Sequence, residues 1–91
     1  MEKIDYKQEI IKILYEKNPL RLSKLEEKFL LRIDPDGKSL NFSAYRFDFS
    51  QFLTAIWELE DEGILKRDEN SKKFYLTEKG KEEAEKILMN F

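Results

Sequence analysis

Apolar residues recur at helical spacing in four stretches of this chain, and the polar breaks between them mark where each stretch starts and stops. Asp5, with Gln8 three residues later, opens a first helix by the capping-box pattern. Asn18-Pro19 ends it near Lys17, because proline disfavours helical backbone in the residue before it. This helix carries two apolar stripes, Ile4, Ile11, Leu14 and Tyr15 on one side and Tyr6, Ile10 and Ile13 on another. One packed face is enough for a surface helix. The second stripe therefore predicts a homodimer interface, or else a central helix sandwiched between the third and fourth within one chain. Ser23 caps a second helix, Glu26 completes its box, and Leu25, Phe29 and Leu30 face inward. The third helix is expected to begin at Asp48 with Phe47 and Phe52 as a hydrophobic staple, a start at Ser43 being the alternative. At about 100° per residue, Phe49, Phe52, Leu53, Ile56 and Leu59 form its buried arc, while Ser50, Gln51, Thr54, Ala55 and Glu58 face outward. The last helix carries Ala84, Ile87, Leu88 and Phe91 at i, i+3, i+4 and i+7, with Met89 outside that stripe.

Between the third and last helices, Leu59 to Gly80 has its own grammar. Gly63 closes a helix because a residue without a β-carbon takes the left-handed conformation freely. Ile64 and Leu65 resume in extended character, Lys66 and Arg67 lead into the polar run Asp68 to Lys73, and Phe74 to Leu76 return, which is a hairpin. Thr77 caps the helix that follows. The order Leu59, Gly63, Ile64, Leu65, Arg67, Phe74-Tyr75-Leu76-Thr77-Glu78-Lys79-Gly80 resembles the winged-helix DNA-binding domain of MarR-type and PadR-type transcription regulators, with phenylalanine where that family most often has tyrosine. The resemblance implies an α+β, mostly α, winged helix-turn-helix: a three-helix core, a short strand at Leu20-Arg21-Leu22 before the second helix, a two-stranded wing and a C-terminal helix in one domain spanning 1–91. It also implies double-stranded DNA as partner and sequence-specific binding by a small transcription regulator. A protein-interaction winged helix that binds no nucleic acid is the alternative.

Residues 32 to 47 depart from that family pattern. A loop of about 15 residues intervenes where a helix-turn-helix has a few, and it opens on the turn Asp34-Pro35-Asp36-Gly37. Leu40, Phe42, Tyr45 and Phe47 make it too apolar for a linker, so it is expected to fold on the domain. The turn is not a calcium loop: with Gly37 at the sixth position, Arg32 and Ser43 would fall where an EF-hand needs its first ligand and its closing glutamate.

Composition narrows the chemistry. The 91 residues suit one domain, and seven Phe, four Tyr and one Trp supply its core. Without Cys or His, disulfides, thiolate chemistry, Cys/His zinc sites and imidazole catalysis are excluded. With no glycine-rich phosphate loop or nucleophile motif, neither an enzyme nor a cofactor is expected, and no effector ligand is identifiable. The absence of a long apolar run predicts no membrane span and a cytoplasmic protein. Charged residues are 40% of the chain, with few Gln and Asn, a balance met in thermophile proteins.

A net charge of −2 makes distribution decisive for a nucleic-acid binder. Residues 48 to 63 hold five acids and no base, whereas 64 to 77 hold Lys66, Arg67, Lys72 and Lys73 against Asp68 and Glu69. Those four bases are the candidate wing contacts, against the plain alternative of a hairpin kept soluble by charge. In a winged helix the third helix lies in the major groove, so the resemblance makes Ser50, Gln51 and Thr54 the candidate base readers, against ordinary solvent-facing residues. Ser23 and Lys24 at a helix start, flanked by Arg21 and Arg46, are candidate phosphate contacts. Tyr6, Ile10, Ile13 and Met89 are the candidate dimer contacts. Trp57, at the edge of the buried arc, is expected to pack, half-buried, on its own domain or else beneath the inserted loop or a partner.

Overall fold

The computed structural model describes residues 4–33 and 47–89. It is a small α+β domain, mostly helical. Helix α1 (Tyr6–Glu16) is followed by strand β1 (Leu20–Arg21), helix α2 (Leu22–Ile33), helix α3 (Phe49–Asp61), strands β2 (Leu65–Arg67) and β3 (Lys73–Leu76), and helix α4 (Glu78–Met89). The antiparallel sheet has the order β1-β3-β2. Residues 34–46, and with them the Asp34-Pro35-Asp36-Gly37 turn, the apolar positions 40, 42 and 45 and the candidate Arg46, lie outside the described residues, as does Phe91.

Helix α1 is the centre of the molecule and packs against α2, α3, α4 and β3. That position explains its two stripes, since a helix covered on several sides is apolar on several sides. Tyr6, Ile10 and Ile13 are buried within the single chain, Ile10 completely, together with Ile11 and Leu14. The expectation that Tyr6, Ile10 and Ile13 face a second copy is thereby corrected. Met89 does stand out in solvent, 82% exposed.

The junction of α1, α2 and α3 is aromatic. Tyr6 stacks on Phe29 at 5.1 Å between ring centroids, and Phe29 meets Phe52 edge-on at 5.2 Å. Phe47 lies 5.6 Å from Phe52, the staple expected at the start of α3. Asp48 is the N-cap, its Oδ1 accepting from the backbone N–H groups of Ser50 and Gln51, so the helix starts after Asp48 and not at Ser43. The Asp48 N–H donates to the Tyr6 hydroxyl at 2.8 Å, which ties the cap of α3 to the first turn of α1. At the other side of the molecule β1 runs straight into α2, whose first residue is Leu22. Ser23 therefore sits inside the first turn rather than capping it.

The segment from Leu59 to Gly80 folds as a single joint. Gly63 takes φ +77°, and two backbone bonds close the helix, Gly63 N–H to Glu60 and Ile64 N–H to Leu59. This is a Schellman ending, in which Ile64 turns back beside Leu59 into the core. Thr77 then accepts from the Gly80 N–H at 3.0 Å as the cap of α4, and its own N–H donates to the Ile64 carbonyl at 3.0 Å. Gly80 is required by contact rather than by φ, because a β-carbon there would collide with the Ile64 carbonyl oxygen.

Candidate nucleic-acid interface

Two surfaces carry the candidate residues. The first is the outward side of α3. Ser50, Gln51 and Thr54 are exposed as expected, but Ala55 is buried and Phe49 is exposed, so the buried arc sits slightly rotated from the one counted on the sequence. Ser50, Gln51 and Thr54 line an open groove of about 670 Å³ whose other wall is the start of α1, from Ile4 to Lys7. The charged groups lining the groove are two carboxylates and Lys7. Asp5 and Glu58 line it, and Asp48 holds the Gln51 amide through a 3.2 Å bond from Nε2 to Oδ2. Hydrogen bonds from the Gln51 side chain and backbone keep the Asp48 carboxyl below its ordinary pKa, so it is charged at neutral pH. Lys7, at the edge of the same groove, bridges Glu62 at 2.6 Å and Glu58 at 3.3 Å. The bond to Glu62 contributes most to raising the Lys7 pKa, and burial opposes it. Trp57 lies on this helix and is 60% exposed, which corrects the expectation of a half-buried packing residue.

The second surface is the sheet. Phe74 and Leu76 of β3 are buried, so the alternation of a strand sends Lys73 and Tyr75 to the outer face. The register sets Arg21 opposite Lys73 and Lys66 opposite Tyr75, and residues directly opposite share a face. Arg21, Lys66, Lys73 and Tyr75 thus lie together on the outer face of all three strands. Among the described residues Arg21, Lys66, Arg67 and Lys73 form no ion pair.

The four expected wing bases are not equivalent. Arg67 sits opposite Phe74, on the other side of β2 from Lys66, and is exposed. Lys72 occupies the tip with φ +62° and pairs with Glu69 at 3.6 Å. The tip is built on Asp68, whose carboxylate accepts from the Asn70 N–H and the Ser71 hydroxyl, and these bonds lower its pKa. Of the expected phosphate contacts, Arg21 joins the sheet face, whereas Lys24 is drawn toward Glu27 at 3.3 Å on the surface of α2.

Local sequence pattern does not reveal the outer sheet face as a unit: it places Arg21 with α2 and gives Tyr75 no role. The signal is present in the alternation Lys73, Phe74, Tyr75, Leu76, but the pairing of β1 with β3 across more than fifty residues is a tertiary fact. A scan of protein-family models, a search of curated proteins and a search of solved structures each give no match to this chain. Among the described residues no helix is long and apolar enough to cross a membrane.

Proposed function

We propose that this chain is a winged-helix domain that binds duplex DNA and acts as a small cytoplasmic transcription regulator. Its element order and the strand order β1-β3-β2, with a hairpin between α3 and α4, support the winged-helix reading. The observation that carries DNA binding is the set of cations on one small sheet, Arg21, Lys66, Arg67 and Lys73, that have no carboxylate partner among the described residues. Elsewhere on the described surface Lys7, Lys24, Arg32, Lys81 and Lys86 are engaged by glutamates, and Lys12, Lys17, Lys28 and Lys79, which form no ion pair among the described residues, are spread over three helices and their ends rather than gathered on one sheet. Grouped free cations are what counterion release on phosphate binding requires, and a net negative chain binds where its positive charge is concentrated. A homodimer joined through the exposed Leu88 and Met89 end of α4 would double those contacts.

Anisotropy of a labelled random duplex, titrated at several salt concentrations, tests the reading. The logarithm of the affinity is expected to fall linearly with the logarithm of salt. A wild-type protein that binds no duplex at low salt overturns it in favour of the second reading, a protein-interaction domain. The feature favouring that reading is Trp57, exposed on a helix that carries acids and no bases, since tryptophan is enriched where one protein anchors another.

A further inference from the structure

We infer that the duplex is engaged by the outer face of the sheet, with α3 held out of the major groove. The inference rests on the DNA-binding reading above and assigns it a surface.

The sheet side of the argument begins with a local cost. Arg21 and Lys73 are directly opposite each other on neighbouring strands, and like charges so placed repel. No carboxylate among the described residues forms an ion pair with either one, so no direct salt bridge within that part of the fold relieves the repulsion. A phosphate between them would. Lys66 lies on the far strand opposite Tyr75, whose hydroxyl is a further phosphate donor of the kind that positions proteins on DNA. Three strands at about 4.8 Å spacing spread these groups over roughly 10 Å, the axial length over which one DNA strand presents about three phosphates. Tyr75, the one ring on this face among the described residues, is half-buried rather than projecting as a wedge between bases would, so the face suits backbone contact.

The α3 side is the reverse. Asp48, Glu58, Asp61 and Glu62 lie on or beside α3, and from 48 to 63 the chain offers no base. Lys7 is held by two of those glutamates. Gln51, the residue best suited to adenine, has its amide bonded to Asp48. Inserting this helix between two phosphate strands would bring unneutralised acids toward phosphate while breaking the bond that orders its one bidentate reader.

The test compares two double variants on one duplex, the sequence that the wild type selects from a random pool. Lys66→Ala with Lys73→Ala is expected to weaken binding by about tenfold or more and to reduce the salt slope by about 1.8, at roughly 0.9 for each phosphate left without its lysine. Gln51→Ala with Thr54→Ala is expected to stay within about twofold of wild type with an unaltered slope. Lys73→Ala alone should keep or raise the melting midpoint at low salt, because it removes the repulsion at Arg21, and a function-bearing charge is thus told apart from a structural one. Should the double lysine variant melt early, Arg21→Gln with Lys66→Gln repeats the comparison with side chains that keep their bulk. A duplex affinity that persists with unchanged slope in the sheet variants, or that falls more in the α3 variant, overturns the inference while leaving DNA binding intact. A wild type that binds no duplex removes the DNA reading itself.

Discussion

The outward side of α3 and the outer face of the sheet are both polar and both solvent-facing, yet the fold treats their charges in opposite ways. On α3 the polar groups have partners nearby: Asp48 holds the backbone and the Gln51 amide, and Lys7 spans Glu58 and Glu62. On the sheet the basic side chains are set beside one another and left unpaired among the described residues. Surface ion pairs contribute little to stability. Their arrangement is therefore more informative about partners than about the fold. The α3 surface keeps more acids than Lys7 neutralises and so disfavours phosphate, whereas a surface carrying adjacent unpaired cations gains when an opposite charge arrives.

That comparison assumes that one chain carries both surfaces and that α1 has no face left for a second copy. Ile10→Ala tests the assumption and has the largest expected effect. Ile10 is completely buried in the single chain, so truncation should cost about 2–5 kcal/mol of unfolding free energy in a denaturant titration. The wild-type melting midpoint should not depend on protein concentration through this residue. If Ile10→Ala were to alter only a concentration-dependent step, Ile10 would belong to an interface and the two surfaces would have to be redrawn.

Gly80→Ala acts next, on the joint that fixes the sheet relative to α3. The added β-carbon meets the Ile64 carbonyl, which is backbone and cannot rotate away, so either the end of α3 or the start of α4 must shift. Overpacking of this kind costs about 1–3 kcal/mol. Thermal unfolding followed by far-ultraviolet dichroism measures the loss. Because the shift lies next to β2 and β3, the proposed salt-dependent DNA affinity should weaken as well. A variant as stable as wild type would mean that the sheet is not held where the comparison needs it.

The same joint shows what can be read from a sequence. Gly63, Thr77 and Gly80 act on neighbours within about one turn of helix or across one tight hairpin, so residue type at fixed spacing is enough to place the Schellman ending, the hairpin and the cap. The Asp5 and Asp48 caps are legible for the same reason. The two stripes of α1 can be counted along the chain, but which elements cover them is not local. The stripe of Tyr6, Ile10 and Ile13 looks like spare surface until α2, α3 and β3 are seen to close around α1. Trp57 errs in the other direction, since its angle on α3 lies close to the buried arc and only the packing of neighbours decides on which side of the boundary it falls. The sheet face is least legible. It joins Arg21 to Lys66, Lys73 and Tyr75 through a strand order that no local spacing encodes.

The smallest expected effect distinguishes the two surfaces by pH. Asp48 caps α3 and Asp68 builds the tip of the β2–β3 hairpin, and both are held charged below the ordinary carboxylate value of 3.8 by hydrogen bonds to their own turns. A carboxylate whose folded pKa is depressed stabilises the native state fully above its unfolded pKa and loses that contribution as pH falls from there through the folded value. Acid titration should therefore weaken both turns only below about pH 4, and neutral-pH behaviour should be flat. Asp68→Asn keeps an oxygen acceptor for the Asn70 N–H but removes the titrating charge, so the hairpin-tip amides should lose their acid-dependent exchange while the first turn of α3 keeps its own. Asp48→Asn should produce the converse, since asparagine is also a good N-cap. Amide exchange resolved by residue reads the two turns separately. If either substitution altered the acid response of both, the hairpin and α3 would be coupled as one electrostatic unit and the contrast between the two surfaces would fail.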